Sequence, residues 1–221
     1  MKIFIGYDKQ FEKNIRIQID SIINNSSKDL QISLLNLTDL NDILYRKRDK
    51  LQTTDSAFTR WLVPYLSDYS GWSLYMDSDM LCRADIFELF SLNDDQYSAM
   101  VVKHKCQYKD NVKFNGNYQT YYDRKNWSSL ILFNNNKCRN LTLDYINTAS
   151  GLELHQFKWL NDSDIGEIPP EWNHLVGINS PNKNAKIVHW TLGGPWFSDY
   201  KTTEFSDEWF QKLNQTYPDL C

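Results

Sequence analysis

Over the first hundred positions, short apolar runs alternate with longer stretches in which apolar residues recur at helical spacing. "KIFIG" (Lys2–Gly6) is a continuous run of strand length closed by Gly6-Tyr7-Asp8, and predicts a strand buried on both faces. From Phe11 to Asn24, Ile15, Ile19, Ile22 and Ile23 fall on one side and predict a helix. Leu30–Leu37 predicts a second strand, Ser56–Leu66 ("SAFTRWLVPYL") a helix with Pro64 near its end, and Trp72–Asp77 a third strand. Arg83–Phe90 reads as a short helix, Tyr97–Lys103 and Trp127–Asn134 as strands, Cys138–Ile146 as a helix and Ile187–Trp190 as a late strand. Lys105–Lys125, polar and rich in Tyr and Asn, reads as a long functional loop. The pattern predicts an α/β fold, one domain over residues 1–221, with a mainly parallel central sheet, helices on both faces and an irregular C-terminal half.

Composition adds exclusions. The net charge of -4 is interspersed along the chain, which argues against nucleic acid or an anionic membrane surface as partner. No apolar run approaches the roughly 20 residues of a membrane span, so no transmembrane segment is expected. The chain opens on a strand rather than a signal peptide, which predicts a cytoplasmic protein with reduced thiols. Cys82, Cys106, Cys138 and Cys221 form no Cys-x-x-Cys pair, so zinc-ribbon and thioredoxin readings fail. The 8 Trp, 13 Tyr and 11 Phe do change the picture, because sugar rings and nucleobases pack on aromatic faces.

The chemistry concentrates in "LYMDSDML" (Leu74–Leu81). In a strand, residues i and i+2 share a face, so Asp77 and Asp79 are expected to project together from the carboxyl end of the third strand, where open α/β sheets bind ligands. Two carboxylates so close resist joint ionisation unless a cation neutralises them. Mg²⁺ or Mn²⁺ suits such a pair and completes its shell with substrate phosphates. A solvated turn is the bland alternative. A second is the haloacid-dehalogenase-type phosphatase, in which Asp-x-Asp ends the first strand; here the first strand ends "GYD" instead. Near the other end, "VHWTLGGPWF" places His189 after an apolar run and before Gly193-Gly194-Pro195. Taken alone, His189 reads as a buried strand histidine bonded to backbone.

In order along the chain, "IFIGYD", "FTRWLVPYL", "LYMDSDML", "ADIFELF", "NWSSLILFN" and "HWTLGGPW" together resemble the GT-A-fold glycosyltransferases of family 8 type, which include glycogenin and bacterial lipopolysaccharide galactosyltransferases. "NWSSLILFN", "LHQFKWL" and "PPEWNHLVG" look more narrowly like a bacterial or phage subgroup. The resemblance implies a GT-A-like fold and a metal-dependent hexosyltransferase that uses a nucleoside-diphosphate sugar, expected to be a UDP-sugar, with retention. The acceptor hydroxyl, on a glycan, a lipid-linked sugar or a protein, is left open, as is the oligomeric state. It implies Asp77, Asp79 and His189 as ligands of Mn²⁺ or Mg²⁺, with Asp79 also in the catalytic set. A mixed carboxylate and imidazole shell favours Mn²⁺. Tyr7 and Asp8 are implied at the base and ribose, and Arg60 at the phosphate or donor sugar, the alternative for Arg60 being an ion pair with Asp55 or Asp79. Backbone amides of Gly193 and Gly194 are implied at the diphosphate, and Gln156 near the anomeric carbon. Trp127, Trp159, Trp172 and Trp196 are candidate acceptor platforms, each also a candidate core residue. Two departures stand out. The family's C-terminal lysine has no counterpart before Pro195, leaving Lys103 or Lys201 to replace it or the metal and backbone amides to suffice, and an Asp-Gln-Asp segment keeps only Gln156, leaving Asp162 or Asp164 to supply an acid. These losses keep open a decayed, sugar-nucleotide-binding protein as the alternative.

Overall fold

Lys2–Gly6 forms strand β1 between two parallel neighbours, β2 (Gln31–Leu35) and β3 (Trp72–Met76). The computed structural model describes residues 1–48, 52, 54–105 and 122–218. Beyond β3 lie β6 (Leu130–Asn134), β5 (Ala99–Val101) and β7 (Ile165–Glu167), completing a six-stranded sheet in the order β2-β1-β3-β6-β5-β7. Only β6 runs against the others, pairing antiparallel with both β3 and β5. A second, three-stranded sheet has the order β4-β9-β8, from Met80–Cys82, Ile187–His189 and His174–Leu175.

The continuous apolar runs arise because the large sheet is covered on both sides. Ile3, Ile5, Leu74, Met76, Leu130 and Leu132 point into one core, with Phe11 and with Ile15 and Ile22 of helix α1 (Glu12–Asn24). Their alternate neighbours Phe4, Tyr75, Ile131 and Phe133 point into the other. That core holds Phe58, Trp61 and Val63, contributed by α2 (Ser56–Thr59), a 3-10 turn and α3 (Val63–Leu66). It also holds Ile146 of α5 (Leu143–Thr148) and Leu154 of α6 (Gly151–His155). The helix α4 (Ile86–Phe90) joins the first side. A third cluster packs Ile17, Leu81, Val188 and Trp190 against Trp209 of α7 (Ser206–Thr216). No helix among the described residues is long and apolar enough to cross a membrane.

Besides the short β4, β7, β8 and α6, which the periodicity did not predict, the elements depart from it as follows. Ser56–Leu66 is three linked turns rather than one helix, with Pro64 in the first turn of α3. The helix expected over Cys138–Ile146 starts at Leu143, where the Thr142 hydroxyl accepts the Tyr145 amide and fixes the cap. At the irregular end of the chain, α7 is an amphipathic helix of 11 residues. Of the Lys105–Lys125 stretch, residues 106–121 lie outside the described residues, as do Cys106 and Cys221.

Candidate metal centre

β3 ends at Met76, one residue before the aspartate pair. Asp77, Ser78 and Asp79 make a bend that carries the chain from the large sheet into β4 of the small one. The two carboxylates therefore meet through this bend and not, as the strand period predicted, through the pleat of one strand. One face of α1 holds the bend and β4 by main-chain groups. Asn14 donates to the Ser78 carbonyl and Gln18 Nε2 to that of Asp77 at 2.9 Å; Ser21 Oγ accepts the Cys82 amide at 3.0 Å, and Asn25 Nδ2 donates to the Cys82 carbonyl at 3.2 Å. These residues recur at spacings of four, three and four, a helical stripe. Buried amides cost stability unless bonded, and here Trp209 Nε1 also caps Asn14 Oδ1 at 2.7 Å, tying α7 to the same bend.

His189 reaches the pair from the small sheet. β4 and β9 run antiparallel with Met80 opposite His189, and the Trp190 amide donates to the Asp79 carbonyl at 3.0 Å. One ligand atom each from Asp77, Asp79 and His189 lie within 4.8 Å of one another, and His189 Nε2 is 3.1 Å from Asp79 Oδ1. Two carboxylates and an imidazole fit a divalent ion such as Mn²⁺.

Arg60 pairs with Asp77, Nη2 to Oδ1 at 2.9 Å, and Nη1 donates to the Ser128 carbonyl at 2.7 Å. This is the structural ion pair foreseen as the alternative for Arg60, made with Asp77 instead of Asp55 or Asp79. Tyr75 donates its hydroxyl to the same Asp77 oxygen at 2.8 Å. Burial raises the Asp77 carboxyl above its ordinary 3.8; Arg60 opposes that rise, while Asp79 adds to it. A cation in the site would relieve both the burial and the Asp79 repulsion.

His189 Nδ1 meets Asn173 Oδ1 at 3.0 Å, and Asn173 Nδ2 donates to Ser129 Oγ at 2.8 Å. Ser128, next in chain, binds His155 Nδ1 at 2.8 Å through its hydroxyl. Burial, with positive charge on Arg60 and Arg46, holds His155 well below its ordinary 6.5, so this imidazole is neutral. None of Asn173, Ser128 and Ser129 carries a pattern that periodicity would flag, since their partners are distant in sequence.

The remaining expected residues fall out unevenly. Tyr7 and Asp8 follow β1 at the same sheet edge as Asp77, because β1 and β3 are parallel with Ile5 opposite Met76. Asp8 already caps a turn, accepting the Gln10 amide and, at 3.1 Å, that of Asp55. Gln156 follows His155 and gives its carbonyl to Arg124 Nη1 at 2.8 Å. The Gly193 amide donates to the Trp190 carbonyl at 2.9 Å, so it is spent inside the turn. Both glycines are required sterically: Gly193 has φ +136 under the Tyr200 ring, and a Cβ on Gly194 would stand 2.3 Å from the Trp196 ring. Asp164 precedes β7 at the far edge of the sheet and caps Asn161, and Asp162 pairs with Arg124, the arginine that also holds the Gln156 carbonyl. Trp159 and Trp172 are core residues. Trp196 packs among Phe11, Trp190 and Trp209, and Trp127 lies between Lys103 and Arg124. Lys201 is exposed on the turn after Tyr200.

No protein-family model matches the chain. Protein CDI of Arabidopsis thaliana is 41% identical over 223 residues, covering 97% of this chain and 86% of that protein. Among solved structures, the bifunctional glycosyltransferase WbbM in its apo form aligns with TM-score 0.67 at 15% identity, over 99% of this chain and 51% of WbbM. The chain thus spans about half the length of WbbM. The galactosyltransferase LgtC, solved with donor and acceptor sugar analogs, aligns with TM-score 0.65 at 12% identity, over 97% of this chain and 96% of LgtC. GlyE of Streptococcus pneumoniae aligns with TM-score 0.63 at 15% identity, over 96% of this chain and 60% of GlyE. The fold is that of the GT-A glycosyltransferases.

Proposed function

The chain belongs to the same family as Protein CDI of Arabidopsis thaliana, and from that premise and its fold we propose that it is a metal-dependent glycosyltransferase of family 8 type. Its donor is a nucleoside-diphosphate sugar, expected to be a UDP-sugar, and the sugar passes with retention to an acceptor hydroxyl on a glycan, a lipid-linked sugar or a protein. The sequence relative being a plant protein, the reading is not restricted to bacterial or phage chains. The observation that carries it is the convergence of Asp77, Asp79 and His189 at the carboxyl edge of β3, where open α/β sheets bind ligands.

Asp77, Asp79 and His189 would hold Mn²⁺ or Mg²⁺, which when bound supplies charge compensation for the leaving diphosphate. Arg60 and Tyr75 fix the Asp77 carboxylate mainly by its Oδ1, at 2.9 and 2.8 Å, while Oδ2 has only the longer contact with Arg60 Nη1 at 3.5 Å and is the oxygen to turn towards a cation. Tyr7, beyond β1, offers a ring to the base. Gln156 is assigned to the Arg60 side in this reading, which the bond of the preceding His155 to Ser128, itself bonded to Arg60, supports. Its amide is the candidate to meet the anomeric centre during a front-face transfer.

A second reading, nucleotide-sugar binding without turnover, is favoured by the missing lysine before Pro195 and by the engaged Gly193 amide. Incubation of the purified protein with UDP-sugars and Mn²⁺ separates the two. Release of UDP, lost in Gln156→Ala, and an α-anomeric product from an α-linked donor support a retaining transferase. Mn²⁺-dependent binding with no release over hours across the donor panel supports the binding protein.

A further inference from the structure

We propose that Asn173 is a positioning residue of the metal centre: it fixes His189 in the tautomer that keeps the Nε2 lone pair aimed at the Asp79 side. The proposal rests on the metal reading above. It follows from counting protons along a closed chain of buried groups. Asn173 is 0% exposed, His189 1% and Ser129 2%, so water does not compete for these bonds.

The count starts at a group that can only accept. The Asn126 carbonyl receives the Ser129 hydroxyl at 2.7 Å. Ser129 Oγ has one proton and has used it, so towards Asn173 it offers a lone pair, which takes the Nδ2–H at 2.8 Å. That orients the carboxamide. Its Oδ1, which cannot donate, therefore faces His189 Nδ1 at 3.0 Å, and Nδ1 must carry the proton. In the neutral imidazole Nε2 is then unprotonated, 3.1 Å from a carboxylate oxygen of Asp79. Two lone pairs facing each other at that distance repel unless a metal cation, or a second proton taken up by the imidazole, lies between them. The imidazole is thus set as a ligand before an ion arrives, and the Nδ1 bond opposes a ring flip. Outer partners of this kind orient ligating histidines and tune their basicity.

The same dipeptide serves both halves of the centre. Ser128 holds Arg60, which holds Asp77; Ser129 holds Asn173, which holds His189, and the Ser129 carbonyl accepts the Asp77 amide at 2.8 Å. The 3-10 turn Trp127–Ser129 that leads into β6 is therefore the common support of ligands more than one hundred residues apart, 189 − 77 = 112. An amide at position 173 supplies an acceptor without adding a third negative charge beside Asp77 and Asp79.

The test combines a spectrum and a titration. In ¹⁵N-histidine-labelled, metal-free protein at pH 8, long-range ¹H–¹⁵N correlations should show His189 protonated on Nδ1 and bare on Nε2. Mn²⁺ titrated into Asn173→Leu should bind roughly 10- to 100-fold more weakly than into the unaltered protein, whereas Asn173→Asp, which keeps the acceptor, restores binding. An Nε2-protonated tautomer overturns the proposal, and this arm needs no variant to fold. Folded Asn173→Leu with unaltered Mn²⁺ affinity also overturns it while leaving the metal site standing. Absence of Mn²⁺ binding by the unaltered protein overturns the metal reading, and the role of Asn173 with it.

Discussion

Arg60 and Asp77 form an ion pair on the floor of the centre, with the guanidinium 7% exposed and the carboxylate 20%. The pair leaves the large sheet side of the site neutral, so the charge that a cation would find is concentrated on Asp79.

Breaking that pair should be costly from either side. Removing one member of a buried pair leaves the other uncompensated, typically at about 3–5 kcal/mol. Arg60→Ala should lower unfolding free energy by that order. The Arg60→Ala/Asp77→Ala double variant should lose clearly less than the sum of the two single losses. Urea denaturation of the four proteins closes the cycle; strict additivity would show that the pair is not coupled.

Asp79 is the reverse case. Its carboxylate faces the centre and its main chain stays paired with Trp190. Asp79→Ala should leave the melting temperature of the metal-free protein nearly unchanged, or raise it slightly by removing repulsion on Asp77. Mn²⁺ affinity by calorimetry, and any Mn²⁺-dependent stabilisation by UDP, should fall by orders of magnitude, and EDTA should reproduce the loss in the unaltered protein.

Gly194→Ala tests the C-terminal turn. The added methyl would meet ring carbons of Trp196 at 2.3–2.8 Å, and that ring is packed against Trp190 and Trp209, both at 5.8 Å between centroids. A crowded core of this sort loses about 1–3 kcal/mol. Urea midpoints, with tryptophan fluorescence as the probe, read both the loss and the shifted ring.

Acid should weaken the fold before the carboxylates titrate. Burial, with His189 and His174 nearby, lowers His104 from 6.5 to about 3, and His155 is likewise held well below 6.5. Both are uncharged in the folded protein and take up protons once unfolded. Their contribution is therefore complete above pH 6.5 and is lost as pH falls towards 3. Each proton corresponds to about 1.4 kcal/mol per pH unit where only the unfolded state binds it. Unfolding free energy should fall from pH 7 to pH 5, with a shallower slope in His155→Gln.

The large sheet was legible because two-sided burial writes itself as continuous apolar runs, as in Lys2–Gly6 and Leu130–Asn134. Of the small sheet only β9 was legible, as the late strand expected over Ile187–Trp190; β4 with three residues and β8 with two have too few positions to show a period. Asp77, Asp79 and His189 were identified from residue type and resemblance, but the reason for their convergence lies in a bend. The polar stripe Asn14, Gln18, Ser21, Asn25 was present in the sequence at helical spacing. It was masked by the isoleucines, one of which, Ile23, is 54% exposed. Asn173 was unreadable because its meaning depends on two contacts, 16 and 44 positions away.

The pairing of β4 with β9 makes the centre a gauge of alignment. Side chains alternate along a strand, so a slip of one residue against Met80 would turn His189 away from the aspartates and bring Val188 or Trp190 towards them. During refolding, the first two ligands are neighbours from the outset, but the third must close a span of 110 residues, 189 − 79, in a single register. Tight ion capture is thus a late and stringent signal, reporting that the two ends of the fold have met in the correct alignment.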